Sequence, residues 1–264
     1  MLKDAETIVF KVGTSTLTHP SGRTNLKAME TLTLVLSDLH NAGKRIVLVT
    51  SGAIGVGVAK LGLPRKPNDT AGKQAAATVG QCELMYMYDK MFSQYGQKVG
   101  QLLITKEDLD DSKRRSNLVQ AFSRLFSFGA IPIVNENDAV AVDEIVYGDN
   151  DSLSAAVATL IGADALVILT ETDGLYTANP LEDDSAVHIS QVPVITDQIR
   201  SYASSHGTAL GTGGMATKLH AAEIAVNAGI DAYVICGADA HDIYRLMDGE
   251  AIGTHFHARR SQHA

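Results

Sequence analysis

Lys11 and Lys218 stand where a lysine is poorly accommodated unless an anion lies close by. Lys11 falls inside the apolar run "TIVFKVG" (7 to 13), near its carboxyl end, where an ammonium group loses its hydration. Lys218 closes "GTGGMATK" (211 to 218) in the first turn of the helix expected to follow, where aligned peptide dipoles already present positive charge. Singly, each reads as a surface side chain with its stem laid along apolar neighbours. Together they read as a site for a phosphoryl group in transfer, whose charge spreads over several oxygens and is stabilised by fixed ammonium groups that are not consumed.

Other polar, glycine-rich stretches recur just past expected strands. "KVGTST" carries Gly13, Thr14 and Ser15, and "TSGAIGVG" carries Thr50, Ser51, Gly52 and Gly55. "NEND" (135 to 138), "GDND" (148 to 151) and "TETDGLYTANP" (170 to 180) follow. Glycine lets backbone N–H groups approach an anion, and a helix amino terminus adds about half a positive charge. For any one loop a tight turn is the plainer account, but their recurrence favours an anion-binding face.

Asp149 and Asp151 flank Asn150 ahead of a helix expected from near Ser152. A carboxylate there either caps the helix or orients the two ammonium groups through charge-assisted hydrogen bonds. Asp138 reads equally as an exposed turn carboxylate and as a partner for a substrate ammonium. Magnesium, carried on nucleotide phosphates and joined through water to such a carboxylate, is the expected metal, with no direct protein ligand.

Two familiar phosphate motifs are excluded. Gly211, Gly213 and Ala216 have the G-x-G-x-x-A spacing of a dinucleotide fingerprint, but no strand is expected before them. "TAGKQ" (70 to 74) lacks the upstream glycine and the hydroxyl residue of a P-loop.

The elements that must position these residues alternate in kind. Expected strands at 7 to 13, 44 to 52, 98 to 105, 130 to 138, 164 to 172 and 231 to 237 are separated by helical patterns. The helices are expected near 25 to 43, 71 to 95, 112 to 128, 152 to 162, 216 to 228 and 239 to 247, with a hairpin suggested by "AVAVDEIVYGDND". Parallel strands need crossover connections, which are usually helical, so the expected class is α/β: a three-layer αβα sandwich with a mainly parallel central sheet. In such sheets ligands bind beyond the carboxyl ends of the strands, which is where the glycine-rich loops fall.

With 264 residues, 45% hydrophobic, the chain is long enough for a large core. Thirty acidic against 22 basic side chains give a net charge of −8, which disfavours nucleic acid as a partner, and "SKRRS" (112 to 116) reads as a solvated helix start. The nine histidines show no paired zinc spacing, and His255, His257 and His263 read as a tail. Cys82 and Cys236 lie far apart among apolar neighbours and are expected to be buried, reduced thiols. No apolar stretch reaches membrane-spanning length and no signal-peptide core is present, so a cytoplasmic protein is expected.

Taken together, "FKVGTSTLT", "VTSGAIGVG", "GKQAAATVGQ", "IPIVNENDAV", "YGDNDSLSAAVA" and "GTGGMATKLHAA" closely resemble the glutamate 5-kinase branch of the amino acid kinase superfamily, from near residue 7 to near residue 254. The resemblance implies ATP-dependent phosphorylation of the side-chain carboxylate of L-glutamate to L-glutamyl 5-phosphate, the first step toward proline. It implies Lys11 and Lys218 on the transferring group with Asp151 organising them, and Ser51, Asp138 and Asn150 holding glutamate. Lys11, Thr170, Glu171, Thr212, Gly213, Gly214, Met215, Ala216, Thr217 and Lys218 would hold ATP, with phosphate-loop backbone at Gly13 and Gly52.

The family pattern often has aspartate where this chain has Glu171. The resemblance further implies an amino-terminal substrate lobe over about 1 to 163 and a nucleotide lobe over about 164 to 264, in a short form without a C-terminal PUA domain. Feedback inhibition by proline, homo-oligomers and a functional link to glutamyl phosphate reductase are also implied. Two alternatives stand beside this one: a related kinase acting on acetylglutamate, carbamate or a nucleoside monophosphate, and a catalytically silent amino-acid sensor. A carboxylate such as Asp138 favours an acceptor with a free ammonium, and intact Lys11, Lys218 and Asp151 argue against a silent sensor.

Overall fold

Continuous apolar runs bounded by glycine or polar turns form the buried strands of this chain. The computed structural model describes residues 2–19, 23–141, 150–204 and 214–259. Its elements begin with β1 (Thr7–Val12), a short α1 (Thr14–Leu17), α2 (Leu26–Asn41), β2 (Arg45–Val49), α3 (Ala53–Lys60) and α4 (Thr70–Ser93). Next come β3 (Lys98–Ile104), α5 (Lys106–Asp110), α6 (Ser112–Ser127), β4 (Ala130–Glu136), α7 (Asn150–Ile161) and β5 (Ala165–Thr170). The rest comprises β6 (Leu175–Tyr176), β7 (His188–Ile189), β8 (Gln191–Val192), α8 (Asp197–Ser204), α9 (Met215–Asn227), β9 (Asp231–Cys236), α10 (Asp242–Met247) and β10 (Thr254–Phe256).

The main sheet runs β3-β4-β2-β1-β5-β9-β10-β8, parallel throughout except where β10 runs against β9. Helices cover both faces, giving the three-layer α/β sandwich that the alternation requires. Side chains alternate along β1, so Ile8, Phe10 and Val12 pack with Met29, Leu36, Tyr88 and Ile243 on one face. Val9 faces the opposite core, with Leu153, Val157, Leu219 and Ala222 from α7 and α9. Lys11 shares the parity of Val9 and is therefore delivered to the α7 and α9 side. Helix α3 lies against α4 with backbone nearly touching: a Cβ on Gly57 would come 1.8 Å from Ala76 O, and one on Gly80 would come 1.7 Å from Ala53 O.

Several expectations need correction. The polar loop expected after β5 contains β6, β7, β8 and α8, all three strands being only two residues long and too short for a periodic signal. Residues 254–256 form β10, so His255 belongs to the sheet rather than to a tail. Cys82 is exposed on α4 and Cys236 half-buried at the end of β9; both are free thiols. Helix α7 begins at Asn150, so Asp151 lies within its first turn instead of ahead of it. The suggested hairpin falls largely on 142–149, outside the described residues. Among the described residues no helix is long and apolar enough to cross a membrane.

Candidate active site

At the carboxyl ends of β1 and β5 the two lysines meet one carboxylate. Asp151, fully buried in the first turn of α7, places Oδ1 2.5 Å from Lys11 Nζ and Oδ2 3.2 Å from Lys218 Nζ. Thr217 Oγ1 lies 3.0 Å from the same Oδ2. Lys11 and Lys218 are themselves 5% and 6% exposed. Two ammonium groups withdrawn from water need opposite charge, and among the described residues Asp151 supplies it to both. Two ammonium groups held side by side suit a polyanion.

The backbone around the cluster points the same way. Helix α3 starts on Gly52 and α9 on Gly214, and neither has a side-chain cap for its first N–H groups. Gly52 has φ +100°, a left-handed conformation that favours glycine, and a Cβ there would lie 3.6 Å from the Thr14 side chain. A Cβ on Gly13 would stand 3.6 Å from Lys11 Nζ, an ordinary contact distance, so Gly13 lies directly beside that ammonium.

Next to Asp151 a second network forms. Asn150 Nδ2 lies 2.7 Å from Thr50 O, 2.7 Å from Ser51 Oγ and 2.9 Å from Asn135 Oδ1, tying the start of α7 to the ends of β2 and β4. Asn135 in turn donates from Nδ2 to Gln81 Oε1 on α4 at 2.8 Å. Thr50 Oγ1 meets the buried Tyr88 hydroxyl at 2.9 Å, and burial pushes that phenol well above its ordinary range, so it stays neutral.

Asp138 lies just beyond β4. With Glu136, Lys73, Gln74, Thr70, Ile54 and Ala141 it lines a small cavity of about 30 Å³. Burial, reinforced by Asp138 and then Glu107, raises the Glu136 carboxyl to about 7. The cavity thus carries two carboxyl groups, Glu136 and Asp138, and one ammonium, Lys73.

The expected nucleotide contacts are spread more widely. Thr170 is half-buried at the end of β5, where its carbonyl accepts from Gly237 N at 2.7 Å, and Glu171 is exposed beside it. Nearby, a cavity of about 570 Å³ opens against Val12, Leu169 and Gly237 at the ends of β1, β5 and β9, walled on its far side by α2. Gly214, Ala216 and Thr217 open α9, whereas the Met215 side chain packs into the core beneath, leaving only its backbone available. Thr212 and Gly213 lie outside the described residues.

The structure thus brings Lys11, Lys218, Asp151 and Thr217 into one cluster and joins Ser51 to Asn150 in a second. Gln81, Asn135 and Glu136 enter the same region without having been singled out from sequence. Their motifs, "GKQAAATVGQ" and "NEND", were visible, but nothing local to them shows that α4 and β4 converge on α7.

The chain resembles known proteins along most of its length. A model of the amino acid kinase family matches residues 6–236. The glutamate 5-kinase of Carboxydothermus hydrogenoformans is 48% identical over 99% of this chain and 70% of its own length. That of Clostridium acetobutylicum is 49% identical over 97% of this chain and 96% of its own. Among solved structures, the UMP kinase of Bacillus anthracis superposes with a TM-score of 0.64 at 17% identity, covering 97% of each chain, a likeness of fold alone.

Proposed function

The chain belongs to the amino acid kinase family and, within it, to the glutamate 5-kinases, and on that premise we propose that it transfers the γ-phosphoryl group of ATP to the side-chain carboxylate of L-glutamate, giving L-glutamyl 5-phosphate. The observation that carries this reading is Asp151 standing between Lys11 and Lys218. The acceptor carboxylate is already ionised at neutral pH, so no general base is needed. Alignment and charge stabilisation suffice.

In this reading Asp151 fixes both ammonium groups toward the transferring phosphoryl group, and the uncapped amides at Gly52 and Gly214, with Gly13, face the phosphates. Thr170, Glu171 and the 212 to 218 segment hold the rest of ATP, so the nucleotide is assigned to the lobe from about 164 onward. Glutamate is assigned to the lobe before it. Ser51 and Asn150 hold the acceptor, and Asp138 takes its α-ammonium.

Magnesium fits as an ion carried by the nucleotide, because both oxygens of Asp151 are engaged by Lys11, Lys218 and Thr217. When bound it neutralises charge on the phosphate oxygens. A free α-ammonium can form an ion pair with Asp138 that an acetylated amine cannot, which favours the free amino acid.

The same membership supports proline as a feedback inhibitor that overlaps the glutamate site, a homo-oligomer, and a cytoplasmic location. An acyl phosphate is unstable, which fits a functional link to glutamyl phosphate reductase. Incubating the protein with ATP, magnesium and either glutamate or acetylglutamate, with hydroxylamine to trap acyl phosphate as hydroxamate, tests the acceptor. Hydroxamate is expected with glutamate only; product from acetylglutamate alone overturns the assignment. Titrating proline against the initial rate tests inhibition, and a flat response to tens of millimolar, on the order of weak-ligand affinities, counts against it.

A further inference from the structure

Away from the kinase site, three titratable side chains converge that the reaction does not use. Strand alternation puts His255 and His257 on one side of β10 and its continuation, while Phe256 between them is fully buried on the other. The antiparallel register sets His255 opposite Tyr233 and Phe256 opposite Ala232, which carries His257 toward Asp231 at the start of β9. One donor atom from each of Asp231, His255 and His257 lies within 4.8 Å of the others. Asp231 is level with Ala165, and Ala165 with Ile8, at the amino ends of the strands. Lys11 and its partners sit at the carboxyl ends, so the two places are distinct.

We propose that Asp231, His255 and His257 form a site for a divalent transition-metal ion of the zinc class, which clasps β10 to β9. Two imidazoles and a carboxylate suit zinc or nickel, whereas magnesium prefers an all-oxygen shell. Little rearrangement is required. His255 Nε2 stands 2.9 Å from Asp231 Oδ1, and two tetrahedral zinc ligands stand roughly 3.3 Å apart, so the ion takes the place of the proton between these atoms.

The surroundings hold the ligands ready. Tyr233 stacks on His255 at 4.2 Å, and His257 stacks on His255 at 4.0 Å with the planes 29° apart. Ala258 N donates to Asp231 Oδ1 at 3.0 Å. From β8, Gln191 Oε1 lies 2.6 Å from His257 Nε2 and steadies that ring from a third strand. All three ligand residues are half-buried, which lets an ion in while excluding part of the competing water.

The test uses the full chain stripped of metal by chelator and dialysed. Calorimetric titration with zinc chloride is expected to show one equivalent more in the parent than in the His255→Asn/His257→Asn double variant. Zinc at about a hundredfold excess over its dissociation constant is expected to raise the parent's thermal midpoint by about 5 °C or more, a shift the variant lacks. Magnesium-dependent turnover of the variant should match the parent, which separates this outcome from any failure of the kinase assignment. If the double variant does not fold, His257→Asn, which leaves the His255–Asp231 bond in place, carries the same comparison. Equal zinc stoichiometry and equal midpoint shifts in parent and variant, or no zinc response in the parent, overturn the proposal.

Discussion

Asp151 Oδ1 reaches Lys11 Nζ at 2.5 Å from a fully buried position, and the other oxygen of the same carboxylate serves Lys218. Replacing it (Asp151→Asn) removes the carboxylate charge that the two buried ammonium groups share. The variant is expected to lose about 3 kcal/mol of stability and to fall at least about a hundredfold in kcat. Saturating ATP with magnesium should restore part of the lost thermal midpoint, because its phosphates supply negative charge to the same place. An unchanged midpoint and turnover would show that the carboxylate does not organise the pair.

Lys218→Ala separates chemistry from folding. Its ammonium is expected to contribute mainly to the charge of the transition state, so kcat should fall at least about a hundredfold with a much smaller change in thermal midpoint. Steady-state kinetics beside a melting curve make the comparison. Near-normal turnover contradicts the assigned role.

Much of this site was legible in the chain because each part carries a local oddity. Lys11 breaks an apolar strand, and period-two alternation alone decides which face it joins; Lys218 and Asp151 each fall in a helix's first turn near glycine. What the sequence hides is convergence at long range. Asn150 meets Ser51 across 99 positions, and Asn135 meets Gln81 across 54, through side-chain amides whose types look ordinary on a helix or a strand. The short β10 was equally hidden, because three residues give no period and the histidines in and after it, His255 and His257, resemble a tail.

Gln81 offers a test of that amide relay. Its Oε1 holds Asn135, which faces Asn150, while its Nε2 is buried without a hydrogen-bond partner among the described residues. Gln81→Leu removes the anchor of Asn135, and the KM for glutamate is expected to rise about tenfold, the scale of one lost hydrogen bond, while the KM for ATP stays level. Equal change in both constants would indicate general damage rather than acceptor positioning.

The contact of α3 on α4 sets the position of Ser51 and Gly52 at the head of α3. Gly57→Ala would drive a methyl to 1.8 Å from Ala76 O, a backbone atom that cannot swing aside. The helices must separate, and a loss of about 3 kcal/mol is expected, read from denaturant unfolding. Gly55→Ala, where a Cβ meets nothing within 4 Å, serves as the control and should cost little.

Glu136 allows the proposed acceptor site to be tested through pH. Its carboxyl titrates at about 7 in the fold against an ordinary 4.5, because burial and then Asp138 and Glu107 disfavour its charge. Between those values the native state holds a proton that the unfolded chain has released, so this group's contribution makes stability fall as pH rises from about 4.5 to about 7 and level off above. Glu136→Gln keeps the shape and removes the titration. Its unfolding free energy is expected to vary less with pH across that window than the parent's, and to exceed the parent's at pH 8. A substrate ammonium near Asp138 would favour the ionised form of Glu136, so glutamate binding near pH 6.5, roughly midway in the titration, should release protons. Calorimetry in buffers of different ionisation heat measures that release directly. Identical pH profiles for parent and variant, with no proton release in either, would remove Glu136 from the acceptor site.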